Sequence, residues 1–204
     1  MLRLALIGDS IAWGMGATAP ESRLAARLTR RLREVGVDAV ARVFAVPGAR
    51  SSGLAPQVDQ ALGWLPDAAV IVIGANDLTH LEPVDAAIAS LAEAVSRLRR
   101  AGSEVVLAPA PDLSMVPHVP PALRPLVQAA SAEFRTGQIA AAEALGARVA
   151  DPDASTAAVF RADRSLFSPD RFHPSDAGYE VIAAAIAPHL LAAAVDDHSR
   201  IEST

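Results

Sequence analysis

Apolar positions along the chain follow two rhythms. Short, nearly continuous apolar runs fall at Leu2 to Ile7, Ala39 to Val46, Ala68 to Ile73, Glu104 to Ala108 and Arg148 to Ala150. Between them, apolar residues recur every three or four positions. The third run, with Val70, Ile71, Val72 and Ile73 in sequence, predicts a strand covered on both faces, as in a parallel sheet. The spaced pattern predicts helices. Leu24, Leu28, Leu32 and Val35 share one face of a helix from Pro20 to Val35, with proline in its first turn and Gly36 as its stop. Val84, Ile88, Leu91, Val95 and Leu98 do the same for Val84 to Arg100. Further helices are expected at Leu54 to Leu62, Leu126 to Leu145 and Ser175 to Val195, the last bent or ended by Pro188. Pro109 to Pro125 carries six prolines and reads as a surface loop; Asp151 to Ser168 reads as irregular. Strands alternating with helices predict an α/β class domain: a three-layer α/β/α sandwich around a five-stranded parallel sheet. Residues 1–195 are expected to form that domain and 196–204 a polar C-terminal tail.

Composition narrows the function classes. At 204 residues and 51% hydrophobic, the chain supports one well-buried core. A net charge of −5, with the arginine clusters Arg23 to Arg33 and Arg97 to Arg100 each on an amphipathic helix face, leaves no basic stripe for nucleic acid. All 18 basic residues are arginine. Cysteine is absent, which removes disulfides, thiolate zinc sites and cysteine nucleophiles. The first apolar run is too short for a signal segment and no stretch suits a membrane span. The expectation is a cytoplasmic protein acting on a small molecule, with no nucleic acid partner and no membrane insertion.

Four short blocks carry the chemistry, and each lies in a loop after a strand or before the last helix. They are Gly8-Asp9-Ser10, Gly48, Gly74-Ala75-Asn76-Asp77 and Asp170-Arg171-Phe172-His173-Pro174. In a parallel sheet all strand ends of one sense share an edge, so the blocks converge there. Acyl transfer needs this set. The Ser10 hydroxyl is a nucleophile once a base takes its proton, and His173 is the candidate base. Asp170, three residues earlier, is placed to hold the imidazole tautomer. The Ser10 and Gly48 N–H groups and the Asn76 amide are candidate oxyanion donors, Gly48 because a residue without Cβ allows close approach. Asp9 and Asp77 read as braces of their loops. His80, His118, His189 and His198 read as surface or loop groups, and Trp13 and Trp64 as packing groups. Met115 and Val116 are candidates for lining an acyl site.

Gly-Asp-Ser at 8–10, glycine at 48, Gly-x-Asn-Asp at 74–77 and Asp-x-x-His-Pro at 170–174 resemble, in content and order, the blocks of the SGNH (GDSL-type) hydrolase superfamily. The likeness runs from residue 8 to about 182, including Ser175-Asp176-Ala177-Gly178-Tyr179. It implies a flavodoxin-like fold and an esterase, lipase, thioesterase or carbohydrate acetylesterase that needs no metal and no cofactor. Some members of that superfamily transfer acyl groups to acceptors other than water. Three rivals are weaker. Gly14-Met15-Gly16-Ala17-Thr18-Ala19 matches a dinucleotide fingerprint but begins well past the first strand, and no acidic residue closes strand two. Asp9, Asp77, Asp151, Asp153, Asp170 and His173 include no H-x-H or H-E-x-x-H metal pair. A non-catalytic binding module would have no need of every catalytic position.

Overall fold

The computed structural model describes the backbone of residues 1–201, and their side chains apart from 152–155 and 194–201. Five parallel strands form one sheet: β1 (Leu2–Gly8), β2 (Ala39–Val43), β3 (Ala68–Val72), β4 (Glu104–Ala108) and β5 (Arg148–Val149), in the order β2-β1-β3-β4-β5. This is the expected flavodoxin-like three-layer arrangement. Every residue of β3 and β4 is buried, as their continuous apolar runs require.

The side chains of β3 alternate between the two faces. Val70 and Val72 pack with Leu24, Leu28 and Leu32 of α2 (Leu24–Glu34) and with Tyr179, Ile186 and Leu190 of α8 (Asp176–Ile201). Ile71 and Ile73 pack with Leu54 and Val58 of α3 (Leu54–Leu62) and Leu91, Val95 and Leu98 of α5 (Val84–Arg100). Period-two alternation in the strands meets the apolar stripe of each helix, and each fully buried leucine or isoleucine contributes about 1.5–3 kcal/mol. Strand order reverses between β1 and β3, and the loops leaving these two strands part toward opposite faces. A crevice opens where they part, and in open α/β sheets ligands lie there.

The expected element bounds shift in a few places. The second apolar run leaves regular pairing at Val43, because Phe44 and Ala45 both donate to the Leu6 carbonyl (2.8 and 3.2 Å) before Val46 reaches that of Gly8 (3.0 Å). Two donors on one acceptor break the ladder as a bulge does. Pro20–Ser22 forms a separate 3₁₀ turn, and an extended Arg23 divides it from α2. Residues 151–168, expected to be irregular, hold a helix, α7 (Pro152–Ala162), whose proline occupies its first position. The proline-rich segment contains 3₁₀ turns at Leu113–Met115 and Pro121–Leu123, and its last proline lies in the first turn of α6 (Arg124–Ala144). Pro188 lies inside α8, which continues to Ile201; residues 202–204 lie outside the described ones. No helix among the described residues is long and apolar enough to cross a membrane.

Candidate active site

The site begins where β1 ends. Gly8 has φ +134°, and a Cβ there would stand 1.8 Å from the Val72 carbonyl oxygen of β3. The chain can turn this close to its neighbour only because residue 8 lacks a side chain. Gln57 of α3, buried, accepts from Gly8 N–H (2.7 Å) and donates to Gly8 C=O (3.0 Å), so the turn is clamped on both sides. Asp9 then caps the short helix α1 (Ser10–Trp13) by accepting from Ile11 N–H at 2.9 Å. Ser10 is the first residue of that helix, which Gly14 ends with φ +94°.

The loop before α8 brings His173 to it. His173 Nε2 lies 3.0 Å from Ser10 Oγ, and His173 Nδ1 lies 2.7 Å from Asp170 Oδ2. The other Asp170 oxygen accepts from Ser168 Oγ (2.7 Å), Phe172 N–H (2.8 Å) and His173 N–H (2.9 Å). Burial pushes the Asp170 carboxyl up, but the hydrogen bonds from His173, Phe172 and Ser168 outweigh it and hold the group far below the usual carboxylate range. An ionised Asp170 assigns the proton to Nδ1 and leaves the Nε2 lone pair facing Ser10. The loop is closed by Ser168 N–H on His173 C=O (2.8 Å), and Phe172 meets the imidazole edge-on at 5.0 Å.

The two other blocks arrive from the neighbouring strands. Val46-Pro47-Gly48-Ala49 is a tight turn, with Ala49 N–H on Val46 C=O at 3.0 Å and Gly48 at φ +80°. That backbone matches a type II turn, which calls for glycine after proline. A Cβ on Gly48 would meet nothing within 4 Å, so crowding within the chain does not require glycine there; the backbone conformation does. Gly53, in the same loop, has its N–H on the Arg50 carbonyl (2.8 Å). Asn76, on the short helix α4 (Ala75–Thr79) after β3, donates through Nδ2 to Ala49 C=O at 3.0 Å, and its amide retains a second N–H. Asp77 ties the same two loops by accepting from Ser51 N–H (2.9 Å) and Ser51 Oγ (3.0 Å). Gln138 of α6 bridges Ala110 N–H and Ile73 C=O, joining the loops after β4 and β3.

An apolar pocket opens beside Ser10. Its empty space is about 820 Å³, mouth included, and Leu113, Met115, Phe160, Phe167 and Phe172 contribute to its wall. Met115 and Val116 are there, as the sequence suggested for an acyl site. The three phenylalanines, Gln57 and Gln138 carry no local sequence signal; they join the site only through packing. Of the other histidines, His80 bonds Asn76 C=O (2.8 Å), His118 is exposed, and His198 lies outside the described side chains. Trp13 lies under the Arg23 guanidinium at 4.2 Å.

Asp9 is 1% exposed, and its Oδ2 has no hydrogen-bond partner among the described residues. Burial, aided by the nearby Asp77 charge and opposed by the Ile11 N–H bond, pushes its pKa up to about 7 from 3.8. Between those values the folded chain keeps a proton that the unfolded chain releases. Stability therefore falls as pH rises from about 4 to about 7 and levels off above, by at most about 4 kcal/mol. Asp9→Asn keeps an acceptor for Ile11 and has no proton to lose. Its melting temperature relative to the parent is expected to rise from pH 4 to pH 8. A difference that stays constant over that range would show that Asp9 is ionised throughout.

These features define an α/β protein of the flavodoxin-like type with a serine, a histidine and an aspartate in relay at the carboxyl edge of its sheet. The chain belongs to the GDSL-like lipase/acylhydrolase family, which it matches over residues 6–181. It is 37% identical over 186 residues to the GDSL-like esterase Rv1075c of Mycobacterium tuberculosis, covering 89% of this chain and 59% of that protein. The chain thus spans little more than half of that relative's length. Among solved structures it resembles TesA (TM-score 0.77, 21% identity, 94% and 99% of the two chains). It also resembles Axe2, an acetylxylan esterase from Geobacillus stearothermophilus (TM-score 0.76, 18% identity, 92% and 93%). At these identities the structures speak for the fold.

Proposed function

We propose that this chain is a serine-dependent hydrolase of carboxylic esters that works through an acyl-enzyme. The observation that carries the reading is the continuous relay Asp170–His173–Ser10, 2.7 and 3.0 Å long, beside an apolar pocket. His173 Nε2 takes the Ser10 proton as Oγ attacks the ester carbonyl. The carbonyl electron pair moves onto oxygen, where Ser10 N–H, Gly48 N–H and the free Asn76 N–H are the candidate donors; losing one such donor typically costs about 10²–10³ in rate. The tetrahedral centre collapses, the C–O bond breaks, and His173 returns the proton to the leaving alcohol. Water, deprotonated by the same imidazole, then attacks the acyl-serine and frees the acid. Asp170 stays ionised and stabilises the imidazolium in both halves.

The apolar pocket favours an aliphatic or aromatic acyl group over a sugar ring, which would bring hydroxyls needing partners. Thioesters are open to the same chemistry, since Ser10 attacks the same carbonyl. The direct test is an alkyl fluorophosphonate, which forms a stable adduct only with an activated serine. One equivalent is expected to end esterase activity and to appear by mass spectrometry on the peptide holding Ser10. Turnover that survives stoichiometric treatment, or an adduct on another residue, would overturn the reading.

A further inference from the structure

Every arginine whose side chain is described has an interaction partner, apart from two. The two, Arg164 and Arg171, have none among the described residues. They are neighbours in space: together with Pro117, Phe167, Ser168 and Pro169 they line one concave surface. Phe167 also lines the apolar pocket, so the two hollows share that side chain. Arg171 lies two residues before His173, on the loop whose Asp170 and Ser168 hold the imidazole.

Both side chains are exposed, and three facts set the pair apart from the other described arginines. First, the adjacent carboxylates are already engaged. Asp163 accepts from Ser165 N–H (2.9 Å) and Ser165 Oγ (2.6 Å), and Asp170 from Ser168, Phe172 and His173. Neither forms an ion pair with Arg164 or Arg171. Second, the chain as a whole carries −5, and its other described arginines have found partners, so two unpaired guanidinium groups facing one hollow are a local exception. Third, Arg171 sits at φ +59°, a conformation that costs a non-glycine residue of order 1–3 kcal/mol and that glycine or asparagine would hold more easily. Guanidinium forks match carboxylate and phosphate oxygens in pairs, and a concave positive surface concentrates such anions.

We propose that the hollow between Arg164 and Arg171 is a subsite for an oxyanion group, carboxylate or phosphate, on the alcohol side of the ester. The acyl side is accounted for by the apolar pocket, where a charged group would lose its hydration without a partner. The hollow shares Phe167 with that pocket and holds Arg171 two residues before His173, and this places it on the alcohol side. This assignment of substrate class rests on the esterase reading given above.

The test compares three butyrate esters, of glycerol (neutral), glycolate (carboxylate) and glycerol 3-phosphate (phosphate). At low ionic strength kcat/KM for at least one anionic ester is expected to exceed that for the neutral one about tenfold. That ratio is expected to shrink toward one in 0.5 M salt and in the R164Q/R171Q double variant, and to return in part in R164K/R171K. The arm that shows the preference identifies the anion. A wild-type ratio near one, or a ratio unchanged in the double variant, overturns the proposal. If no ester turns over in any arm, the esterase reading fails instead. The subsite is then judged by titrating phenyl phosphate and glycolate into Ser10→Ala, where binding lost on adding R164Q/R171Q supports it and an absence of binding overturns it.

Discussion

Ser10→Ala is expected to lose about four to six orders of magnitude in kcat for any ester the chain hydrolyses, while folding as the parent does. The two halves of this expectation have separate causes. In the proposed mechanism the hydroxyl supplies the electron pair that forms the acyl-enzyme, and among the described residues no other hydroxyl bonds His173 Nε2, so nothing takes its place. The fold barely uses it. Ser10 is the first residue of α1, a position that alanine tolerates, and its side chain makes one hydrogen bond, to His173. The unfolding free energy is expected to change by less than about 1 kcal/mol. Steady-state kinetics and a denaturant titration on the same preparation check both. Turnover near the wild-type level would end the nucleophile assignment. A large stability loss would mean the serine bears weight that its single contact does not explain. The surviving activity is also informative, since oxyanion donors and binding alone typically sustain about 10³–10⁴ over the uncatalysed rate.

Gly8→Ala is expected to damage the molecule itself. The new Cβ would stand 1.8 Å from the Val72 carbonyl oxygen, in a backbone conformation (φ +134°) foreign to alanine. The obstacle is the carbonyl of a central strand, which cannot rotate aside as a flexible side chain would. Relief requires parting β1 from β3 where their register pairs Gly8 with Val72, and releasing both Gln57 hydrogen bonds. The expected cost exceeds about 4 kcal/mol, comparable to the whole stability of many domains. The soluble yield should fall sharply, with the guanidinium midpoint far below the parent's. Gly48→Ala is the control. It also has positive φ but open space around the added methyl, so only the conformational cost of about 1–3 kcal/mol applies. Equal midpoints for the two variants would show that steric contact with β3 is not what demands glycine at position 8.

The sequence was most legible where one physical cause acts alone. A short continuous apolar run bounded by turn residues suits a strand covered on both faces, and β3 and β4 lie close to where the pattern puts them. The helix from Val84 to Arg100 is marked by its own apolar stripe and its bounds agree. Legibility failed where causes compete. The helix α7 has a weak apolar period, and the proline that starts it reads equally well as a loop residue. The second apolar run looks like a longer strand than it is, because hydrophobicity does not report the double hydrogen bond at Leu6 that ends regular pairing. Gly48 shows a residue for which the structure adds a reason of its own: the sequence suggested close approach of a reacting oxygen, and the turn conformation by itself also calls for glycine.

By itself, the sequence determined the layer order, the edge at which function gathers, and the residue types set there, because local apolar periodicity and short motifs are properties of neighbouring positions. It also placed Asp170 within one turn of His173. What only the tertiary structure decided is whatever joins residues far apart along the chain. Ser10 and His173 are 163 positions apart, yet 3.0 Å separates their atoms. Gln57 clamps Gly8 from a different helix, and phenylalanines from α7 and the loop beyond it meet Met115 around the pocket. Arg164 and Arg171 are unremarkable as two arginines among 18; that no carboxylate among the described residues pairs with them is known only from the packed structure. The physical reason is the same in each case. A side chain's partner is chosen by the competition of the whole packed interior and surface, and that competition has no local trace in the chain.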